Sequence, residues 1–149
     1  MKKVILLAFF LLPFITVSQS SYWQQHVDYT MDVEMDVETF RYTGTQKLVY
    51  TNNSPDELSR VFYHLYYNAF QPGSEMDIRL QNIKDPDKRV GSRINGLKKK
   101  DQGFLKILSL KQDGHELKHI ISGTVLEAEL NNPINPGDSV LFDIKFHGQ

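Results

Sequence analysis

The stretch that decides the fold is VDYTMDVEMDVE, residues 27–38, in which apolar and polar side chains alternate without interruption. A period of two residues is typical of a β-strand, because successive side chains point to opposite faces. We therefore predict a strand with one buried apolar face and one acidic face in solvent. Neighbouring carboxylates on such a face lie ~7 Å apart and diverge, which argues against a calcium site.

Other segments show strand patterns and are separated by turn sequences such as NNSPDEL and NNPINPGDS. The near-continuous apolar run at 60–70 predicts a strand covered on both faces. Short strands with proline and glycine turns predict an all-β fold, an antiparallel β-sandwich or saddle-like domain. The further strand segments are YTGTQKLVYTN (42–52), RVFYHLYYNAF (60–70), FLKILSL (104–110), GTVLEAEL (123–130) and VLFDIKFH (140–147), the last with Val140, Phe142, Ile144 and Phe146 facing inward.

The segment around residues 74–103 has a different character. Ser74 and Asp77 resemble a helix-capping pair, and apolar residues follow at helical spacing. Pro86 is expected to end this short helix. Charged residues of both signs then fill residues 84–106, which predicts a long solvated loop.

Composition excludes several functional classes. The chain has 149 residues, 40% hydrophobic and 23% charged, which suits one ordinary domain. It has no cysteine, so disulfides and thiolate metal sites are excluded. The net charge is −1, and aromatic residues do not alternate with the basic ones before Phe104. We therefore predict no nucleic-acid partner.

The amino-terminal residues have the pattern of a signal peptide. Lys2 and Lys3 precede an apolar run from Val4 to Val17, and small polar residues follow. We predict a signal peptide over residues 1–18, with cleavage near residues 18–20, and an exported protein (periplasmic, outer-surface or secreted). The run is shorter than the ~20 residues of a membrane span, so no span is expected once the signal is removed. Without the two lysines, 15 basic residues stand against 18 acidic ones, a net charge of −3.

A literal H-E-x-x-H occurs at residues 115–119, the pattern of a zinc metallopeptidase site. The chemistry requires a helix, on which both imidazoles lie ~6 Å apart on one side. On a strand, residues four apart lie ~13 Å apart and cannot bind one ion. Asp113-Gly114 is a strong hairpin-turn signal, and two β-branched isoleucines follow His119. We therefore predict that His115, Glu116 and His119 are extended and do not form a zinc site.

The remaining sequence adds no ligand or catalytic group to these residues. One large class of such peptidases carries a glutamate as third ligand at the position that is Asp138 here, inside a Pro-Gly turn. His64 is a metal candidate in principle, but no second ligand is spaced with it. There is no G-x-S-x-G, no glycine-rich phosphate loop and no cysteine nucleophile. We assign no catalytic, cofactor-binding or metal-binding residue in this chain.

Three stretches carry a resemblance to a known family, in the same order and over about residues 22–148. They are YWQQHVDYTMDVEMDVE, YTNNSPDELSRVFYHLYYNAFQPGS and GTVLEAELNNPINPGDSVLFDIKFHG. They resemble the amino-terminal β domain of exported bacterial M1-family metallopeptidases, the zinc aminopeptidases. The resemblance implies a β domain at residues 22–149, truncated at its carboxy-terminal end, that packs on a thermolysin-like catalytic domain. In that family the zinc ligands and the G-x-M-E-N motif lie downstream, and neither occurs here.

The resemblance thus implies a non-catalytic domain that shapes the cleft of a parent zinc aminopeptidase and docks on its catalytic domain. Peptide substrates would be met only through that parent enzyme. The alternative is a free-standing exported β-sandwich that binds a carbohydrate or a protein. A third reading, the chain itself as a small peptidase, is disfavoured by the strand prediction. Candidate docking or sugar-binding aromatics are Tyr22, Trp23, Tyr63, Tyr66 and Tyr67, and the run Phe62–Phe70 is expected to leave apolar surface exposed.

Overall fold

Two antiparallel β-sheets form the structure, a computed structural model that describes residues 22–83 and 91–149. One α-helix and three short 3-10 turns, at Tyr66–Phe70, Ile94–Gly96 and Lys99–Asp101, accompany them in these residues. The strands are β1 (His26–Asp36), β2 (Arg41–Thr51), β3 (Leu58–His64), β4 (Leu105–Gln112), β5 (His115–Glu116), β6 (His119–Ser122), β7 (Val125–Ile134) and β8 (Ser139–Gly148); the helix is α1 (Glu75–Asn82).

The two sheets differ in size. The larger has the strand order β1-β2-β8-β4-β5 and the smaller has the order β3-β7-β6. The pairing of β2 with β8 joins segments from opposite ends of the described chain, with Leu48 opposite Phe142. Every recorded pairing is antiparallel, which confirms the predicted all-β sandwich-like class.

The core lies between the inner faces of the two sheets. Phe142 and Ile144 of β8 face inward as predicted, and they meet Leu126 and Ala128 of β7. Further buried members of this cluster are Leu48, Val61, Leu65, Leu110, Leu117, Ile134 and Val140. Because three strands cover five, the inner face of the larger sheet extends beyond its cover. The candidate site lies on this uncovered part of the larger sheet.

Asn52 joins the strand ends at one side of the sandwich. Its side chain is fully buried, and its Nδ2 donates to the carbonyls of Asp56 at 2.8 Å and Ile134 at 2.9 Å. Its Oδ1 accepts from the backbone N–H and the hydroxyl of Ser54. A buried amide with its donors and acceptor all used holds three chain segments in one arrangement.

The strand prediction for residues 27–38 is correct in type but wrong about burial. The apolar row of β1 faces the same side as the core, yet Tyr29 and Met31 are each 54% exposed. Alternation divides a strand into two faces, but a second layer must cover one face to bury it. Here the smaller sheet does not extend over β1.

The prediction for residues 60–70 is also corrected. β3 ends at His64 and a 3-10 turn follows, so the aromatic run is not one strand. It is not covered on both faces either, since Phe62 and His64 are exposed while Val61 is buried. Because β3 is an edge strand of a two-layer fold, its outer face meets solvent.

The helix begins where the sequence predicts. The Ser74 hydroxyl accepts from the backbone N–H of Asp77 at 3.1 Å, and the Asp77 carboxylate accepts from the N–H of Gly73 at 2.8 Å. The predicted signal peptide and Pro86 lie outside the described residues. Within residues 22–83 and 91–149, no helix is long and apolar enough to cross a membrane.

Candidate functional site: an open apolar groove beside the core

The groove lies where the larger sheet extends past the smaller one. Its volume is about 730 Å³, and β1, β2 and β3 form its walls. Phe142 of β8 lies at its base, so the groove is continuous with the core. The residues that line it include Tyr29, Met31, Leu48, Tyr50, Leu58, Arg60, Phe62, His64 and Tyr66.

The walls of the groove are mostly apolar. Tyr29 and Met31 of β1 stand on one side, and β3 stands on the other, with Tyr63 on its inner face and Phe62, 57% exposed, at its rim. Single exposed apolar residues are ordinary on a protein surface, but a contiguous apolar cleft marks a place where another molecule binds. The groove therefore has the character of a binding surface.

Tyr63 connects the groove to the core. Its ring packs edge-on against Phe142, with centroids 6.3 Å apart and planes at 87°. Burial raises the pKa of the Tyr63 hydroxyl well above its usual range, and the nearby Tyr29 raises it further. Tyr63 is thus a partly buried packing residue that also lines the groove.

The other predicted aromatics do not form one cluster. Tyr66 is 70% exposed at the groove and stacks on His64, with centroids 5.2 Å apart and planes at 11°. Tyr67 instead packs edge-on against Tyr42 of β2. Tyr22 and Trp23 are exposed in the segment that precedes β1. The structure therefore brings only Tyr66, of these five, to the groove as an exposed ring.

A second open cavity, of about 690 Å³, lies on a different part of the molecule. It is lined by cationic side chains from Arg41, Lys99 and Lys106 together with apolar ones from Leu108 and Ile121. Its cations are partly engaged, because Arg41 Nε donates to Gln149 Oε1 at 3.2 Å and Lys106 lies 5.6 Å from the Phe104 ring centre. Polar and charged residues make up a larger share of the residues that line this cavity than of those that line the groove.

The H-E-x-x-H residues are extended, as predicted, and they are also divided between the sheets. His115 and Glu116 form β5 at the edge of the larger sheet, and His119 begins β6 of the smaller one. The turn before them has Asp113 and Gly114 at positive φ, 48° and 82°. The sequence pattern did not predict that the motif is divided between two sheets. Leu117 lies between the two strands, and its buried side chain anchors the chain where it passes from one sheet to the other.

Each side chain of this motif has a local contact of its own. The Nδ1 of His115 lies 3.1 Å from the carbonyl oxygen of Asp113, and the Nδ1 of His119 lies 3.4 Å from that of Leu117. Glu116 accepts from the Ser109 hydroxyl at 3.1 Å and pairs with Lys111 at 3.4 Å. Residues on two strands of different sheets do not offer one zinc ion the shared face that its ligands need. These three residues do not fit zinc.

Within the described part of the chain, no group of three or more histidine, aspartate or glutamate side chains is placed to hold a metal ion. His64, the remaining metal candidate, stacks on Tyr66 as described above. The groove offers apolar contact and aromatic stacking, and it offers no nucleophile paired with a base among the residues that line it.

The fold has counterparts among solved structures. The chain is similar to the crystal structure of a mutant of a two-domain M1 zinc metallopeptidase bound to L-tryptophan, with a TM-score of 0.51 and 13% identity over 85% of this chain and 21% of that one. The same kind of mutant bound to L-arginine gives a TM-score of 0.51 and 12% identity, over 83% and 20% of the two chains. The chain shares its fold with part of these peptidases.

A third structure gives a similar result. It is an M1 zinc metallopeptidase mutant from Deinococcus radiodurans bound to a Tyr-Ser-Ala substrate, with a TM-score of 0.50 and 12% identity over 83% of this chain and 20% of that one. This chain spans about a fifth of the length of the peptidases it matches. No protein-family model matches the sequence, and no curated protein is similar to it in sequence.

Proposed function

We propose that this chain is a non-catalytic amino-terminal β domain of an exported, zinc-dependent M1-type aminopeptidase. The observation that carries the proposal is the fold similarity, which covers most of this chain but only a fifth of each peptidase. The sequence resemblance over residues 22–148 supports the same family. Zinc and the peptide substrate would be held by a catalytic domain, because the H-E-x-x-H of this chain does not fit the metal.

The groove is the proposed docking surface for that catalytic domain. Its apolar walls adjoin the core, and an exposed apolar cleft of this size gains stability when another surface covers it. Docking would let the domain shape one side of the substrate cleft without supplying a catalytic group. The predicted signal peptide supports export, and the mature protein is then expected to begin between residues 19 and 21.

The direct test is the reading frame after the Gln149 codon in genomic DNA. We expect a continuation that encodes G-x-M-E-N and then an H-E-x-x-H on a predicted helix with a later glutamate. A stop codon at that point, in an intact gene with an expressed product, would contradict the proposal. Amino-terminal sequencing of the exported product tests the leader, and a start at Met1 would argue for a retained anchor.

The groove is tested with a fluorescent dye that binds apolar surface. Met31→Glu and Phe62→Glu change exposed side chains, so the fold should survive and dye binding should fall. Leu108→Glu is the matched control, since Leu108 is also more than half exposed but lies at the second cavity. Adding the polypeptide encoded downstream should displace the dye from the unaltered protein. Equal loss of dye in the control would show that the groove is not a distinct surface.

The stacked pair of Tyr66 and His64 favours a second candidate, a free-standing module that binds a carbohydrate. An exposed, nearly parallel pair of rings offers a face on which a sugar ring can pack. A glycan-binding screen with the purified protein and with Tyr66→Ala separates the two proposals. Binding that Tyr66→Ala removes would support the module, whereas the peptidase domain predicts no glycan ligand.

A further inference from the structure

The first strand presents a long backbone edge to solvent. All eleven residues of β1 pair with β2 on one side, from His26 opposite Thr51 to Asp36 opposite Arg41. In the described residues, no strand pairs with the other side of β1. Alternate N–H and carbonyl groups along that side are therefore available to another extended chain. Native proteins usually keep such edges short, and this one is as long as any strand of the sheet.

The inner face of β1 carries a row of apolar side chains that are about half exposed. Val33 is 52% exposed and Met35 is 56% exposed, in line with Tyr29 and Met31. The same face of the neighbouring β2 carries Leu48, which is buried. The apolar surface of the core thus extends from β2 onto β1, and it ends at the unpaired edge of β1. An added strand would pack its own apolar residues beside these side chains.

The outer face of β1 carries an acidic row that β2 matches with cations only in part, at Arg41 opposite Asp36 and at Lys47 opposite Thr30. Asp32 lies opposite Thr45 and Glu34 lies opposite Thr43. Asp28 lies opposite Val49, and its carboxylate contacts His26 of its own strand at 3.1 Å. Carboxylates on one face of a strand recur at ~7 Å, which is the spacing of basic residues at alternate positions of an adjacent strand.

We propose that β1 binds an extended peptide segment by strand addition, and that this segment alternates apolar residues with lysine or arginine. The free backbone edge of β1 supplies the hydrogen bonds to the peptide. The apolar row of β1 favours apolar residues on one face of the peptide, and the acidic row favours basic residues on its other face. A second copy of β1 does not meet the requirement, because antiparallel self-pairing would place acidic residues opposite acidic ones. This site is adjacent to the groove, and it stands whether or not the chain belongs to a peptidase.

The test uses the purified full chain and synthetic eleven-residue peptides. The probe alternates lysine and valine; its comparisons are a glutamate–valine alternation, a block-scrambled lysine–valine peptide, and the probe with N-methyl groups at alternate residues. Fluorescence anisotropy gives affinities, and hydrogen exchange reports protection of the β1 amides. We expect the probe to bind, to protect β1 and to weaken as salt rises. The three comparison peptides should bind at least about tenfold less tightly.

Charge reversal supplies the decisive variant. Asp32→Lys with Glu34→Lys should weaken the lysine–valine probe by about tenfold and favour the glutamate–valine peptide. Asp56→Lys with Glu57→Lys is the matched control, because both residues are exposed in the turn before β3 and lie off β1. Circular dichroism confirms that each variant is folded. Equal binding of the scrambled peptide, unchanged specificity after charge reversal, or no binding of the probe would each overturn the proposal.

Discussion

The ring of Tyr63 in β3 meets the ring of Phe142 in β8 edge-on, and this contact links the two sheets. Phe142 is 1% exposed and lies at the centre of the core, directly beneath the open groove. The groove and the core therefore share residues: Phe142, together with Leu48 and Val61. A change at Phe142 tests the stability of the sandwich, and a change at the groove rim tests binding alone.

Phe142→Ala should destabilise the fold by about 3–5 kcal/mol, because it removes a fully buried ring and leaves a cavity between the sheets. Chemical denaturation followed by circular dichroism measures the change. The matched control is Phe62→Ala, which truncates an exposed aromatic of β3 and should cost less than ~1 kcal/mol. Equal losses in the two variants would mean that the sheets do not pack through Phe142.

Alkaline stability should depend on Tyr63. Its pKa is raised in the folded state by burial, so the folded protein keeps the hydroxyl neutral after the unfolded chain begins to ionise. The stability from this neutral hydroxyl is fully present below about pH 10 and is lost as pH rises above that value. Tyr63→Phe should retain more of its neutral-pH stability than the unaltered protein in thermal melts above about pH 10. A parallel decline of both proteins would contradict the assignment.

Asn52 should be intolerant of loss of its amide donors. Asn52→Asp keeps the size but replaces the NH₂ group, which donates to the carbonyls of Asp56 and Ile134, with an acceptor. A buried group left without partners costs about 1–3 kcal/mol, and more when it is charged. Asn53→Asp is the control, since Asn53 is exposed beside it. Urea denaturation of both variants measures the difference, and similar midpoints would refute the role of Asn52.

Gly44 should resist substitution because the Phe146 ring occupies the space beside its Cα. A Cβ at Gly44 would lie 2.5 Å from Phe146 Cζ and 2.8 Å from the backbone oxygen of Asp32. Gly44→Ala should therefore destabilise the protein by about 1–3 kcal/mol and loosen β1. Gly96→Ala is the control, because a Cβ there meets nothing within 4 Å. Hydrogen exchange of the β1 amides, unchanged in Gly44→Ala, would contradict this prediction.

The H-E-x-x-H residues should be dispensable for any metal chemistry. The purified protein given zinc should release no amino acid from aminoacyl reporter substrates, because His115 and His119 lie on strands of different sheets. Glu116→Gln should bind zinc no more weakly than the unaltered protein in equilibrium dialysis. His119→Ala should cost little beyond local packing. Peptidase activity that disappears in Glu116→Gln would show that the motif is functional.

The sequence predicted the local structure correctly where residues close together in the chain decide it. The alternation at 27–38 predicted β1, Asp113-Gly114 predicted the turn before β5, and Ser74 predicted the start of α1. The inward set of β8 was likewise correct. In each case the deciding interaction lies within a few residues along the chain, since strand alternation, positive-φ turns and caps are local.

The sequence by itself thus determined most of the strands, the two faces of β1 and β8, and the failure of H-E-x-x-H to be helical. Only the tertiary structure decided which strands share a sheet, that the motif is divided at Leu117, and that the apolar face of β1 stays half exposed. The physical reason is that strand pairing and burial depend on residues far apart in the chain, such as Leu48 opposite Phe142. A strand pattern marks the face that is suited to burial, and the number of strands in the opposite layer decides whether it is buried.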